Sequence, residues 1–131
     1  MKHLVISLLL TFFAYNAFST NIQIDTISGH LLHYKIHNDQ GIVLEDAYWQ
    51  NGKNVGLFKR YHQNGTLAQE FFFDAQGKRI GEQKYFFENG QERLIGNWNE
   101  GKIDGSLVWY DEEGDVAGVV WFLKGKRYTK F

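Results

Sequence analysis

The chain has 131 residues, which suits one domain, and its aromatic content of 17% excludes a disordered tail. It contains no Cys, which excludes disulfides, thiolate metal sites and Cys nucleophiles. Lys and Arg number 14 and Asp and Glu number 15, so the net charge is −1. A chain with this balance lacks the basic surface that binds nucleic acid or an anionic membrane.

The N-terminus is predicted to be a secretory signal peptide covering residues 1–19. A short basic start precedes a mostly apolar run at 4–18, and Ala17 and Ser19 are the small residues at −3 and −1 of a cleavage site. The apolar run is too short to span a bilayer, which takes about 20 residues. The mature chain is therefore expected to begin at Thr20, to be exported to the periplasm or the exterior, and to lack a transmembrane span.

The rest of the chain repeats itself every 24 to 25 residues. The repeats lie near 29–52, 56–77, 81–101 and 105–125. Three segments read GKNVG, GKRIG and GKIDG, and a fourth, GKRY, opens at Gly125. The recurring Gly and aromatic positions are Gly56, Tyr61, Gly65, Phe73, Gly81, Phe86, Gly90, Trp98, Gly105, Tyr110, Gly114 and Phe122.

Each repeat is predicted to be a β-hairpin. Asn64-Gly65 and Asn89-Gly90 are hairpin-turn signals because Asn and Gly tolerate positive φ. The flanking runs are rich in aromatic and β-branched residues, and the GKxxG segments are predicted to form the return turns. The expected fold is all-β: an elongated antiparallel meander of about four repeats and roughly eight strands in a single sheet.

A three-residue loop ending at the Gly predicts which side chains share a face, and in the hairpin of Gly65 it pairs Tyr61 with Leu67. Two aromatic rows then form the core face: Tyr34, Tyr61, Phe86 and Tyr110, and Trp49, Phe73, Trp98 and Phe122. The opposite face mixes aromatic, charged and amide side chains: Phe58, Phe72, Tyr85, Phe87, Trp109, Trp121, Arg60, Glu70, Gln83, Arg93 and Asp111. Such a mixture suits an interface.

The full pattern is Gly, four residues, an aromatic, an Asn-Gly turn, eight residues to a second aromatic, and then GKxxG. This pattern resembles the MORN repeat, and it is most similar to the variant MORN repeats of bacterial antitoxin-type proteins, over roughly residues 29–127. The resemblance implies one elongated antiparallel sheet over a repeat domain at 20–131. It also implies binding of proteins or, in some members, lipid headgroups, and no catalysis by the repeats.

Candidate chemistry is sparse. The predicted mature chain has only two serines, Ser28 and Ser106, and neither lies in a nucleophile motif, so we predict no catalytic residue and no enzyme activity. His30, His33 and His37 cluster, but on a strand only the last two share a face, so no metal site and no cofactor are predicted. One Lys recurs per repeat and either solubilises the turns or forms a weak anion-binding edge: Lys53, Lys78, Lys102 and Lys126.

We therefore expect an exported, non-enzymatic, antitoxin- or immunity-like module that binds another protein, a toxin or an envelope protein, through the mixed face. The side chains expected to contact the partner are Tyr85, Trp109, Trp121, Arg60 and Arg93, because Tyr, Trp and Arg are enriched at binding hot spots. The alternative is a glycan- or envelope-binding protein whose exposed aromatic side chains stack on sugar rings.

N-terminal sequencing of the protein recovered from the expressing cells tests the predicted export. We expect the recovered chain to begin at Thr20, because Ala17 and Ser19 provide the small side chains that a signal peptidase site requires. Recovery of the chain with residues 1–19 still attached would contradict this expectation.

Overall fold

The computed structural model describes residues 21–129, which form ten β-strands and no helix. The strands are β1 (Asn21–Ser28), β2 (Leu31–His37), β3 (Val43–Gln50), β4 (Lys53–Tyr61), β5 (Leu67–Phe73), β6 (Gly81–Phe86), β7 (Glu92–Asn99), β8 (Lys102–Tyr110), β9 (Val116–Leu123) and β10 (Lys126–Tyr128). They form one antiparallel sheet in sequence order. This confirms the all-β hairpin meander; two strands exceed the expected number because β1 and β10 flank the four repeats. The predicted segment 1–19 lies outside the described residues.

Five turns share one backbone design, at residues 38–42, 62–66, 74–78, 87–91 and 111–115. In each turn the fourth residue is a Gly with positive φ, for example Gly65 at 85° and Gly90 at 87°. Its N–H donates to the carbonyl of the first turn residue, and the N–H of that first residue donates to the carbonyl of the fifth. Tyr61 pairs with Leu67, so the three-residue loop expected at Gly65 is confirmed.

The two Gly residues of a GKxxG segment have different positions in the fold. Asn51-Gly52 is a two-residue turn with both φ angles positive, as are the turns at 100–101 and 124–125. In GKNVG and GKIDG the second Gly lies inside the next strand, where Gly56 and Gly105 have positive φ beside shifts in strand register. The return turns thus lie at the first Gly of these segments, as predicted, and the second Gly of these two segments is a kink within a strand.

A one-residue bulge after each of four such turns exchanges the faces of the sheet. Tyr61 pairs with Leu67, but Arg60 pairs with Gln69, so Ala68 is an extra residue. The same shift leaves Leu44 in β3, Arg93 in β7 and Ala117 in β9 without an opposite residue. Phe71 and Phe73 therefore lie on the face of Phe58 instead of the face of Tyr61, and the predicted face assignment is wrong at this point.

We call the face that carries Phe58 and Phe71 the core face and the other the outer face. Tyr34, Ala47, Phe58 and Phe71 lie directly opposite one another across β2 to β5, and all four are buried. The row of Trp49, Phe73, Trp98 and Phe122 also lies on the core face and is half-buried. The expected core positions Tyr61, Phe86 and Tyr110 instead belong to the outer face, and Gln83, expected on an exposed face, is fully buried.

In the C-terminal half of the core face, two glycines leave space for indole rings. Gly118 lies opposite Trp109, and a Cβ at Gly118 would lie 2.2 Å from Trp109 Cζ2. A Cβ at Gly96 would lie 2.6 Å from Trp98 Cζ3. Both rings therefore lie across bare backbone, which compensates for the missing side chain in each strand.

Successive turns are linked to one another. Asn64 Nδ2 donates to the carbonyl of Glu88 in the next turn (3.2 Å), and Asn89 Nδ2 donates to the carbonyl of Glu112 one turn further (3.1 Å). At the opposite ends of the strands, the methylenes of Lys53 lie against Gly77, and those of Lys102 lie against Gly125. Each repeat thus contacts its neighbour through its turns as well as through the sheet.

We expect Gly118→Ala to lower the free energy of unfolding by about 1–3 kcal/mol, because the added methyl displaces the Trp109 ring. Urea denaturation measures the change. The double variant Gly118→Ala with Trp109→Leu should recover part of the loss, since the smaller side chain leaves room for the methyl. Additive losses in the double variant would contradict the contact.

We expect Asn89→Ala to cost about 1–2 kcal/mol, because it removes the acceptor for the Gln91 N–H and the donor to Glu112. Asn89→Asp is the matched control, since it keeps the acceptor within the turn and loses only the donor to the next turn. Urea midpoints at high salt, which screens the new charge, compare the variants. A wild-type midpoint for Asn89→Asp would show that the turn-to-turn bond adds no stability.

Candidate functional site

Four of the five predicted contact residues lie together on the core face, in the row nearest the Asn-Gly turns. Arg60 lies opposite Gln69, Gln69 opposite Tyr85, Tyr85 opposite Leu94, and Leu94 opposite Trp109. Arg93, the bulge residue of β7, lies over the Tyr85 ring at 5.7 Å. We call this set the tip strip: Arg60, Gln69, Tyr85, Arg93 and Trp109. The fifth residue, Trp121, lies on the outer face opposite Ser106.

Arg60 is held in place by a buried carboxylate. Its Nη2 and Nε donate to Glu45 Oε2 at 2.7 and 3.1 Å, and the Glu45 side chain is only 6% exposed. Tyr34 donates its hydroxyl to the other oxygen, Oε1, at 2.7 Å. The Arg60 side chain nevertheless remains 48% exposed. A guanidinium that is oriented on one side and open on the other loses little conformational freedom when a partner binds.

Burial raises the pKa of the Tyr34 hydroxyl far above its ordinary value, and the negative charge of Glu45 raises it further. The Arg60 charge opposes these effects only in part. Tyr34 therefore stays protonated and continues to donate to Glu45, which keeps this carboxylate partnered on both oxygens.

Two residues of the tip strip, Gln69 and Arg93, line an open cleft of about 460 Å³ at the turn end of the strip. Tyr85 packs edge-on against buried Phe71 at 5.1 Å, which fixes its ring. The cleft is lined by His62, Ala68, Gln69, Phe86, Phe87, Glu88, Asn89, Arg93 and Glu112. It joins an apolar floor to charges of both signs, so it can receive an amphipathic side chain of a partner.

Sequence reasoning missed several of these residues. Glu45, which orients Arg60, is a buried carboxylate that no motif marks. His62 and Glu112 reach the cleft from the turns of the second and fourth repeats, on either side of the third. His62 Nε2 hydrogen-bonds to the carbonyl of Phe86 at 3.0 Å. The 24-residue period brings successive turns side by side, so the repeat itself was the available signal.

The two aromatic residues of the C-terminal half differ in exposure. Trp109 is half-buried across Gly118, whereas Trp121 is 55% exposed beside Tyr128, which lies opposite it in β10. The prediction grouped these two Trp residues on one face. They lie on opposite faces because the bulge at Ala117 changes the register of β9.

The His residues of β2 are arranged as expected for a strand, with His33 and His37 on one face. His33 Nε2 lies 2.6 Å from Asp46 Oδ1, and its ring stacks on Tyr48 at 4.7 Å. Within residues 21–129, no three side chains of the His, Cys, Asp or Glu types come together as a metal site would require. His33 is thus held by two side chains of β3, Asp46 and Tyr48.

Residues 54–75 and 79–99 match the family model described as the MORN repeat variant. These two segments are similar to MORN-variant repeats. They coincide with the hairpins of β4 with β5 and of β6 with β7, including the turns at Gly65 and Gly90. No curated protein sequence matches the chain. In the part of the chain that the structure describes, no helix is long and apolar enough to cross a membrane.

Raising the pH tests the Glu45 network. Folding holds the Tyr34 proton more tightly than the unfolded chain does, so the stability from this proton is complete below pH about 10 and falls as the pH rises further. We expect Tyr34→Phe to lose less stability than wild type between pH 8 and 11, although it starts lower because it lacks the bond to Glu45. Urea midpoints at several pH values measure this, and parallel losses in both proteins would contradict it.

Proposed function

We propose that the protein is an exported, non-enzymatic repeat module that binds another protein through the tip strip, in the manner of an antitoxin or immunity protein. The observation that carries the proposal is the row of Arg60, Tyr85 and Trp109 on one face of the sheet. Arg93 lies over Tyr85 in this row and also lines the cleft. MORN-variant repeats favour a binding role for the sheet as a whole.

The tip strip has the composition of a binding hot spot. It contains two Arg, one Tyr and one Trp, and these side chains lose little conformational freedom on binding because they already rest on fixed neighbours. Arg60 is held by Glu45, Tyr85 by Phe71, and Trp109 by the backbone at Gly118. A partner gains most by placing a carboxylate against Arg93, which is exposed and stacks on Tyr85.

Export and the absence of catalysis rest on the sequence. The layout of residues 1–19 supports a secreted or periplasmic location, where a repeat module without Cys depends on packing and sheet hydrogen bonds. The predicted mature chain has two serines and no Cys, so it has few nucleophiles to offer. A location in the envelope suits an immunity protein that meets its toxin there.

Site-specific crosslinking in the producing cells tests the proposal. A photoreactive amino acid at position 93, in the tip strip, should crosslink to one protein, whereas the same group at position 72 on the outer face should not. With the partner identified, Arg93→Ala should weaken binding about tenfold or more, and Phe72→Ala should leave it unchanged. Equal crosslinking at both positions would contradict the assignment of the tip strip.

A glycan-binding role is the second candidate, and it rests on the outer face. Trp121 and Tyr128 are 55% and 54% exposed and lie opposite each other, so their rings can form a platform for a sugar. The same variants separate the two functions. Oligosaccharide binding that Trp121→Ala abolishes and Arg93→Ala leaves intact would favour this second role.

A further inference from the structure

The strand β9 is uncovered along most of one side. β10 pairs only with Trp121, Phe122 and Leu123, so no strand within residues 21–129 pairs with the outer side of 116–120. Alternate N–H and C=O groups of an edge strand point outward, where they can pair with another strand. We call residues 116–120 the open edge.

The open edge lacks most of the features that protect an edge strand. Proteins blunt such edges with Lys, Pro, inward-pointing charges or bulges, and β9, which reads VAGVVWFL, has only the bulge at Ala117. The strand at the opposite edge, β1, carries Asp25 and several polar residues. The side chains next to the open edge are exposed, with Val116 at 60% and Val119 at 45%. An apolar strand left bare in this way favours association with another strand.

The charge beside the open edge defines the chemistry of what pairs there. The turn directly before β9 carries four carboxylates: Asp111, Glu112, Glu113 and Asp115. No Lys, Arg or His lies within 4.0 Å of these carboxylates in the described chain, whereas Glu70 and Glu92 in other strands each have a Lys partner. Asp111 Oδ1 accepts the N–H groups of Glu113 and Asp115, so the other three carboxylates are the ones open to a cation.

We propose that the open edge binds an extended segment of a partner protein, which adds to the sheet beside β9. The segment has apolar side chains at alternate positions along 116–120, over a length of about 17 Å, and Lys or Arg at the end that lies beside the acidic turn. β9 runs away from this turn, so in antiparallel pairing the cationic residues stand at the C-terminal end of the segment. Main-chain bonds supply the affinity, and the acidic turn selects the direction.

This surface is separate from the tip strip. The tip strip presents side chains on the core face, whereas the open edge presents backbone groups along β9. The inference therefore stands whether or not the tip strip binds a protein. Arg93→Ala, which alters only the tip strip, distinguishes the two surfaces because it should leave binding at the open edge unchanged.

Hydrogen exchange on the full mature chain tests whether the edge is open. In the free protein, the outward-pointing amides within residues 116–120 should exchange much faster than those directed at β8. Protection of these amides at all protein concentrations would show that the chain covers its own edge. Protection that appears with dimer formation in sedimentation would assign the edge to a second copy. Either result would overturn the proposal.

A designed peptide tests the chemistry of the occupant. The probe is Thr-Val-Thr-Val-Thr-Lys-Lys, and the matched control carries the two Lys at its N-terminal end. We expect the probe to protect the outward amides of 116–120 and to bind at least about tenfold more tightly than the control, with an affinity that falls as salt rises. Equal binding of the two peptides, or no protection by the probe, would overturn the proposal.

Variants locate the binding site. Val119→Lys adds a charge beside the open edge and should weaken binding of the probe at least about tenfold. Ile27→Lys, at an exposed apolar site on β1, should leave binding of the probe unchanged. Val116→Lys replaces Val119→Lys if circular dichroism shows that the latter is unfolded. Replacing Glu112, Glu113 and Asp115 by Gln should remove the salt dependence. Undiminished binding to a folded Val119→Lys or Val116→Lys variant would overturn the proposal.

Discussion

The structure depends on one local constraint: a Gly in left-handed conformation ends the three-residue turn, and one extra residue follows in the next strand. Gly65 and Gly90 have φ of 85° and 87°, which favours Gly because other side chains clash there. The extra residue then exchanges which side chains of β5 and β7 face the core. Phe71 reaches the buried row by this route, and Arg93, the extra residue of β7, comes to lie over Tyr85 in the tip strip.

Residues 21–129 form one sheet without a second layer, so its stability comes from contacts between neighbouring strands and repeats. Direct opposition of Tyr34, Ala47, Phe58 and Phe71 builds a buried core over β2 to β5 only. Beyond it, the repeats are joined by turn-to-turn bonds such as that of Asn89 and by the rings that lie across Gly96 and Gly118. In repeat proteins each unit is stabilised by its neighbours, so the terminal strands have the least support.

The uneven burial along the sheet determines which side chains are both fixed and exposed. Buried Glu45 orients Arg60, and buried Phe71 packs against Tyr85, so both side chains are fixed and still accessible. The outer face carries alternating charges over β2 to β6, opposite one another at Lys35, Asp46, Lys59, Glu70 and Lys84. The same row continues as Ile95, Val108 and Val119, so this row is apolar in the C-terminal strands. Their exposure at β9 is what makes the open edge a second binding surface.

The sequence by itself determined the hairpin meander, the turn at each Asn-Gly pair and the 24-residue period, because positive φ and alternation are local properties of the chain. By residue type it also singled out Arg60, Tyr85, Arg93 and Trp109 as candidate contact residues. Only the tertiary structure decided which face each side chain occupies, since a bulge moves every later residue of a strand to the other face and no local signal at Ala68 or Ala117 announces it. The partnership of Glu45 with Arg60, and the bare edge of β9, likewise follow from strand neighbours that the chain acquires only when the sheet is assembled.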